Sequence, residues 1–531
     1  MKKGQKYKFW IKPNLYWLFA AAALLIVTLV RALELRLPGM VALTGEGETR
    51  YNLVVNEAKQ LKDLMGLISY QCQPVLDVFI RKVFWSPLLG YHERSWRIPS
   101  LFYSLTAVIL VFYIGYHYFR KLALAPNISL FMGFLVALWL AHSASQGTLA
   151  WDGRHYSFVA LISIIWFTAY LRQPQFKFGR FFIMSLIFAN AHFFALAMIG
   201  SAYGLGALEA LWRKDAGRMG KQVASLAGIY ALTKWFNWGA LHYLSSGPPV
   251  HFPLVQAIES GWDTWVFCQD QFNFPLPWVV VWAGLFYGIR KRGDQQRIFV
   301  FNFITLPLFF FYFRLRSDLT FGTRYCAAFE GVALYGVIFF LRSLYALVTG
   351  LKHTLWKIQK PVIFAVIASI CFHLPSTAME IIPDLKKFPR LSPDFTPWYR
   401  IFDEIKDLEV PIFLINSICY LEVFPLIYLR YNRTPYYYGH EVIDSFGCAM
   451  PMAKGLARLD RFLETNPKGA VIFDQHEDLC EQRSIKYRPG VTIQRTKSAP
   501  HCVWIAKGIR TRKEVREIGE LLKFPMGETF R

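Results

Sequence analysis

The chain has 531 residues, of which 54% are hydrophobic and 17% are aromatic, and its mean hydropathy is +0.28. This apolar share exceeds that of an ordinary soluble domain and indicates a membrane protein. The net charge of +23 does not indicate nucleic-acid binding, because the lysines and arginines fall in short clusters between apolar segments instead of forming one stripe.

Apolar segments recur along the first 375 residues and predict about eleven transmembrane helices, each judged against the roughly 20 residues that cross a bilayer. The first segment resembles the apolar core of a signal peptide, but the many spans after it favour a retained helix. The predicted spans lie near residues 15–30, 100–118, 128–141, 156–171, 181–189, 193–212, 223–241, 277–289, 299–313, 325–341 and 361–372. The predicted fold class is therefore an α-helical polytopic membrane protein.

The charges between the spans predict the orientation of the chain. With a cytoplasmic N-terminus, the inner loops are FRKLA, RQPQFKFGR, WRKDAGRMGKQ, RKRGDQQR and LRSLYALVTGLKHTLWKIQK, and every one is basic, as the positive-inside rule requires. This assignment counts the segments on either side of ANAHF as two spans, because merging them would invert every later loop. The outer face then receives residues 31–99, HSASQGTLAWDGRHY, NAH, residues 242–273, RLRSDLTFGTR and everything after about residue 375.

Residues 376–531 are predicted to form a small, soluble, extracytoplasmic α/β domain. Strand-like runs (VPIFLINS, GAVIFDQ, HCVWIAKG) alternate there with helix-like runs (GLARLDRFLETN, RKEVREIGELLKF). The segment also holds Cys419, Cys448, Cys480 and Cys502, an even number that allows one or two disulfides in an oxidising compartment and leaves the pairing open.

The first outer loop, residues 31–99, is predicted to contain interfacial helices. From Tyr51 onward, apolar residues recur at helical spacing opposite a polar face, which is typical of a helix lying in the membrane interface. Glu46 and Glu48 immediately precede this helix, where unpaired backbone amides favour negative charge, so helix capping is one reading of these acids. The sequence has no repeat, Gly-rich phosphate loop or metallo-enzyme pattern, so any chemistry must come from the outer loops.

Four segments at the predicted outer face resemble motifs of one enzyme family in the same order. Pro74 is followed by Gly90, Glu93 and the sequence RIPS at the head of the second span, and the later segments are DGRHYSFVALISI, NAHFFALAM and GTRYCAAFEGVALY. Over roughly the first 340 residues the chain resembles the glycosyltransferase C superfamily, in the branch of bacterial aminoarabinose transferases and protein O-mannosyltransferases. The resemblance implies that residues 1–375 form a glycosyltransferase C-like domain that takes a sugar from a polyprenyl phosphate.

The first outer loop departs from the family pattern at the position of the expected base. Relatives usually carry Asp-Glu-x-Arg-Tyr, with the Asp proposed as catalytic base, whereas residues 47–51 of this chain read GETRY. Either Glu46 reaches the same place from one residue upstream, or Glu48 takes the role, or the chain has lost activity. A second departure is CQP at residues 72–74, where relatives have a basic residue or histidine and a double proline.

The resemblance and the residue chemistry together assign roles in the outer loops. Sugar transfer needs a base that deprotonates the acceptor hydroxyl, and a carboxylate can serve as this base. It also needs cations that stabilise the leaving phosphate, and arginine suits this role because its planar guanidinium donates two parallel hydrogen bonds. The candidate catalytic residues are Glu48, Glu46 and Asp152. The candidate substrate-binding residues are Arg50, Tyr51, Arg154, Tyr156, His192, Arg324 and Tyr325. Arg324 and Arg154 are expected to hold the phosphate, and Asp152 to position the acceptor or to support the site.

These residues also have purely structural readings. Asp152 and Arg154 could form a local helix cap with a headgroup contact, and Arg324 could face lipid headgroups. His192 could be a satisfied polar residue between helices. The tyrosines at the span ends could belong to the interfacial aromatic belt.

The predicted function is that of an inverting membrane glycosyltransferase that acts on a glycan, lipid or protein at the outer face of a bacterial inner membrane. The sequence identifies no cofactor with certainty, and a divalent metal shared by Glu46, Glu48 and Asp152, with water or phosphate completing its shell, stays open. Two alternatives stay open, an inactive relative that binds a lipid-linked glycan and a transporter or lipid flippase. The transporter is disfavoured because the acids lie in outer loops and the interiors of the spans are nearly free of charge.

Overall fold

The computed structural model describes residues 75–89, 93–122, 124–142, 155–172, 178–237, 253–272, 274, 276–286, 293–316, 323–350, 367, 412–416, 436–439, 452–465, 469–475, 484–495 and 502–523. The predicted spans at 15–30 and 361–372 and the first outer loop up to residue 74 lie outside these residues. The chain divides into two compact units. One contains residues 57–87 and 97–389, and we call it the helical unit; the other contains residues 390–531, and we call it the carboxy-terminal unit.

The described chain before residue 351 is mostly helical. It begins with α1 (Val75–Ile80), a π-helical turn (Arg81–Trp85) and α2 (Ser86–Leu89). The next helices are α3 (Glu93–Lys121), α4 (Pro126–His142), α5 (Tyr156–Leu171), α6 (Phe178–Ala191), α7 (Ala195–Trp212) and α8 (Ala216–Phe236). They are followed by α9 (Leu254–Gln271), α10 (Trp278–Phe286), α11 (Gly293–Val300), a second π-helical turn (Phe301–Thr305), α12 (Leu306–Arg316), a 3-10 turn (Thr323–Phe329) and α13 (Glu330–Gly350).

Helices α3 to α8, α10, α12 and α13 overlap the spans that the sequence predicts between residues 100 and 341. Among the described residues, four helical segments are long and apolar enough to cross a bilayer, namely Arg97–Lys121, Ala195–Trp212, Gly293–Leu315 and Tyr325–Thr349. Shorter apolar helices lie at Pro126–Ala141, Tyr156–Leu171 and Phe178–Ala191. The helical unit therefore has the character of an integral membrane protein.

Helix α9 occupies a segment that the sequence assigned to an outer loop. It is amphipathic, with Glu259 and Asp263 exposed and Trp265 buried. It packs closely on α12 at Gly261, because a Cβ at this position would lie 2.8 Å from the Cα of Phe311. The Trp265 indole donates a hydrogen bond to a backbone carbonyl of the neighbouring π-helical turn at 2.9 Å. The apolar face of α9 therefore contacts other helices of the unit.

Helices α5 and α13 are held together where the 3-10 turn leads into α13. The Ser163 hydroxyl donates to the Ala328 carbonyl at 2.8 Å and accepts from the Gly331 amide at 3.1 Å. Glycine is needed at 331, because a Cβ there would lie 2.5 Å from the Ser163 carbonyl oxygen. This contact brings the start of α5 and the 3-10 turn to the same end of the helical unit.

The described strands of the carboxy-terminal unit form a six-stranded sheet in the order β2-β1-β3-β6-β5-β4. The strands are β1 (Ile412–Asn416), β2 (Tyr436–Gly439), β3 (Ala470–Gln475), β4 (Ser484–Ile485), β5 (Thr492–Arg495) and β6 (Cys502–Lys507). Strand β1 is parallel to β2 and β3, and the remaining pairs are antiparallel. Helices α14 (Met452–Thr465) and α15 (Arg512–Leu521) supply Phe462, Val515 and Ile518 to a core that also contains Phe473 and Trp504.

Candidate functional site

Three of the predicted substrate-binding residues lie together at one end of the helical unit. Tyr156 opens α5, His192 lies in the turn between α6 and α7, and Tyr325 belongs to the 3-10 turn before α13. The ring centroid of Tyr156 is 5.9 Å from those of His192 and Tyr325, and the last two are 6.1 Å apart. Tyr156, His192 and Tyr325, which come from the motifs DGRHY, NAH and GTRY, therefore meet in one aromatic cluster.

His155 is a further member of this cluster that the sequence analysis did not select. Its imidazole is buried and stacks on that of His192, with 5.6 Å between the ring centroids and 29° between the planes. The centroid of the Tyr156 ring lies 4.3 Å from that of the His155 ring. His155 could have been identified from the motif DGRHY, because it stands between Arg154 and Tyr156, which are both predicted to bind substrate.

The His192 side chain is held in one protonation state by its surroundings. The backbone amide of Phe194 donates to the His192 Nδ1 at 3.1 Å, so Nδ1 carries no proton. Burial lowers the pKa of the His192 imidazole well below its usual range, because a charged ring would be desolvated in the turn. The ring is therefore neutral and carries its proton on Nε2, where it can donate one hydrogen bond.

Buried charges lie on the first helices of the described chain. The Arg81 guanidinium, in the π-helical turn, donates from Nε to the Asp77 carboxylate at 2.7 Å and from Nη2 to the Ser100 hydroxyl at 3.0 Å. Arg97 is a second buried guanidinium, at the start of the RIPS segment. These buried charged side chains are a feature that the sequence did not predict.

Contacts link these charges to the aromatic cluster. The Trp85 indole donates to the Tyr103 hydroxyl at 2.9 Å, and the Tyr103 ring lies 5.0 Å from Phe158, one half-turn beyond Tyr156. The amide of Asn237 donates to Asn190, two residues before His192, at 2.8 Å. The same Asn237 side chain accepts from the backbone amide that opens α1 at 3.2 Å. The buried charges and the aromatic cluster therefore occupy one end of the helical unit, which we call the cluster end.

Several predicted site residues lie outside the described residues, namely Glu46, Glu48, Arg50, Tyr51, Asp152 and Arg154. The backbone of Arg324 lies in the 3-10 turn, directly before Tyr325. Within the described part of the chain, no group of three or more His, Cys, Asp or Glu side chains is arranged to hold a metal ion. The candidate metal ligands Glu46, Glu48 and Asp152 belong to the part that is not described.

Comparison with solved structures identifies a protein of the same fold. The crystal structure of ArnT from Cupriavidus metallidurans bound to undecaprenyl phosphate matches with a TM-score of 0.53 at 11% sequence identity. The match covers 92% of this chain and 98% of that chain. No protein-family model matches the chain, and no curated protein sequence matches it. The predicted resemblance to aminoarabinose transferases of the glycosyltransferase C superfamily is thus confirmed at the level of the fold.

Proposed function

We propose that this chain, which has the fold of an aminoarabinose transferase, is a membrane glycosyltransferase that takes a sugar from a polyprenyl phosphate. The observation that carries the proposal is the meeting of Tyr156, His192 and Tyr325, from three separate motifs, in one cluster of that fold. The undecaprenyl phosphate bound to the structurally similar protein supports a lipid phosphate as the donor's leaving group. The acceptor is a glycan, a lipid or a protein.

The cluster end is suited to stabilise negative charge on a leaving phosphate. Arg81 and Arg97 are buried there, and Arg81 is paired with Asp77. Buried cations act on developing charge more strongly than exposed ones, because little water screens them. In the proposed reaction Arg324 and Arg154 contact the phosphate directly, and the Nε2 proton of His192 hydrogen-bonds to a substrate oxygen.

The proposed base is a carboxylate of the first outer loop, Glu48 or Glu46. It removes the proton from the acceptor hydroxyl while that oxygen attacks the anomeric carbon from the face opposite the phosphate. The bond between the anomeric carbon and the phosphate oxygen breaks, and its electron pair leaves with the polyprenyl phosphate. The sugar is thereby transferred with inversion, and Asp152 positions the acceptor. These three acids could also share a divalent metal, with water or phosphate completing its shell, and the metal would then act as a Lewis acid.

The proposed setting is a bacterial inner membrane with a cytoplasmic N-terminus and about eleven spans. Residues 376–531 would form an extracytoplasmic domain that helps to select the acceptor. The six-stranded sheet with α14 and α15 is consistent with a folded unit in that segment.

The test is sugar transfer by the purified full chain from a panel of synthetic polyprenyl-phosphate sugars, with Glu48→Gln, Glu46→Gln and Asp152→Asn compared with wild type. Loss of the base should lower the turnover number by about 10²–10⁴-fold. Glu57→Gln, which changes an acid of the same predicted loop that has no assigned role, is the matched control. Undiminished transfer by both Glu48→Gln and Glu46→Gln would remove the base assignment, and a parallel assay with a chelator tests the metal.

A second candidate function is binding of a lipid-linked glycan without turnover, and the glycine at position 47 favours it. This alternative predicts saturable binding of the donor by wild type and no release of polyprenyl phosphate with any acceptor. Transfer above the level of the Glu48→Gln and Glu46→Gln double variant would exclude it.

A further inference from the structure

A cavity of about 700 Å³ lies at the end of the helical unit opposite the cluster end. It is formed by the start of α6, the end of α7, the start of α8 and α11. Helix α6 begins at this cavity with Phe178 and ends beside His192, and its 14 residues separate the two ends by about 20 Å. The lining segments come from loops that the sequence predicts to be cytoplasmic, so we call this space the inner cavity.

The walls of the inner cavity carry more cations than carboxylates. The cationic side chains are Arg213, Arg218, Lys221 and Arg297, and the carboxylates are Glu209 and Asp215. Glu209 is engaged by Arg213 at 2.7 Å and by Arg218 at 3.7 Å. Asp215 caps α8, since its Oδ1 accepts from the backbone amide of Arg218 at 2.9 Å. Both acids of the wall are therefore already occupied by other groups.

Two cations of the wall remain available for a ligand. Over the residues that the structure describes, neither Lys221 nor Arg297 lies within ion-pair distance of a carboxylate. The Arg297 guanidinium lies 5.5 Å from the centroid of the Tyr170 ring, a cation–π contact that orients the side chain and leaves its charge unbalanced. An ammonium and a planar guanidinium on one cavity wall suit a phosphate group.

The side-chain oxygen of Gln222 places a second requirement on the ligand of the inner cavity. Gln222 lines the cavity and is only 6% exposed, and its Oε1 has no hydrogen-bond partner among the described residues. The side chain lies flat on Gly206, where a Cβ would come within 3.0 Å of the Gln222 Cδ. Because buried polar atoms normally have partners, this oxygen calls for a ligand that carries a donor, such as a hydroxyl.

The surroundings of the inner cavity favour a lipid as the source of the phosphate. Leu208, Leu211 and Trp212, on the last turns of α7, are exposed, and so is Phe178 at the start of α6. Exposed apolar side chains next to a basic pocket between transmembrane helices are typical of a site for a phospholipid headgroup. We propose that the inner cavity binds a phosphate ester that carries a hydroxyl group, with Lys221 and Arg297 on the phosphate and Gln222 Oε1 accepting from the hydroxyl.

The test measures phospholipid retention by the purified full chain in native mass spectrometry. The probes are phosphatidylglycerol and phosphatidylmethanol, which have the same charge and differ in the headgroup hydroxyls. Wild type should retain phosphatidylglycerol in preference to phosphatidylmethanol. The Lys221→Ala/Arg297→Ala variant should lower the retention of phosphatidylglycerol about tenfold. Gln222→Leu should retain both lipids equally, because its side chain cannot accept a hydrogen bond. Variants with wild-type elution in size-exclusion chromatography are compared.

The matched control is Arg120→Ala/Lys121→Ala, which removes the same charges from the last turn of α3, outside the cavity, and should leave retention unchanged. A soluble competitor, glycerol 3-phosphate, separates the two sources of the ligand. If it displaces phosphatidylglycerol from wild type, the site takes free phosphate esters, and if it does not, the site takes the lipid; either result supports the shared chemistry. Retention of phosphatidylglycerol by Lys221→Ala/Arg297→Ala at the wild-type level would overturn the proposal, and a lipid preference that survives Gln222→Leu would overturn the role of the hydroxyl.

Discussion

The Asp77–Arg81 ion pair gives the most quantitative prediction for the cluster end. Their side chains are 0% and 3% exposed, and the Arg81 Nε is 2.7 Å from the Asp77 Oδ2. Replacing one partner of a buried pair costs about 3–5 kcal/mol, because the remaining charge stays desolvated without its counter-charge. Asp77→Asn keeps an oxygen that can still accept from Nε, so we expect a loss near the lower limit, about 3 kcal/mol.

Two further variants test whether the loss of stability depends on the burial of the ion pair and not on its presence alone. Asp77→Asn/Arg81→Met removes both charges and should regain stability to within about 1 kcal/mol of wild type. Glu209→Gln breaks an ion pair of the same 2.7 Å length and the same i,i+4 spacing, but its partners are 36% and 63% exposed. This control should cost only about 0–1 kcal/mol.

The assay is equilibrium unfolding of the purified chain by increasing mole fractions of SDS in mixed micelles, followed by far-UV circular dichroism. The compared quantity is the free energy of unfolding of the helical unit. A cost below about 1 kcal/mol for Asp77→Asn, or an equal cost for the single and double variants, would refute a buried, unscreened ion pair at the cluster end.

Three other predictions follow from single contacts. Burial lowers the pKa of His192, so the unfolded chain binds more protons below about pH 6.5 and stability should fall by up to about 1.4 kcal/mol per pH unit as the pH decreases from there. His192→Asn should flatten this slope in SDS unfolding between about pH 7 and pH 5, and an unchanged slope would contradict the assignment. Gly331→Ala should destabilise the helical unit by about 1–3 kcal/mol, whereas Gly200→Ala, with open space around the added Cβ, should be neutral or stabilising; equal effects would argue against close α5–α13 packing. Thr511→Ala removes the capping box of α15 and should cost the carboxy-terminal unit about 1 kcal/mol in thermal unfolding, and no loss would mean that the cap is not formed.

The helices and the meeting of the motifs could be predicted from the sequence because each rests on a strong local signal. Long apolar runs between basic clusters predict the helices, and counting them predicts which loops share a face. Tyr156, His192 and Tyr325 were selected from three loops assigned to one face, and the structure brings them within about 6 Å of one another. The fold resemblance rested on the order of these motifs and is confirmed by the structural match.

The features that the sequence did not predict depend on contacts between distant segments. Helix α9 was missed because Glu259 and Asp263 lower its hydropathy, although its opposite face packs on α12. Asp77 and Arg81 lie in the predicted first outer loop, and their burial depends on contacts with distant residues, such as the hydrogen bond from Arg81 to Ser100. The inner cavity is formed by parts of four helices, so no single stretch of the sequence predicts it.

The most direct test of the proposed glycosyl transfer is an experimental structure of the full chain with added undecaprenyl phosphate. We expect its phosphate to lie at the cluster end, within hydrogen-bond reach of Arg324, Arg154 or His192, with the prenyl chain extending along the helices toward the bilayer. A structure in which the cluster end stays free of the lipid at saturating concentration, or in which the lipid occupies only the inner cavity, would contradict the proposed glycosyl transfer.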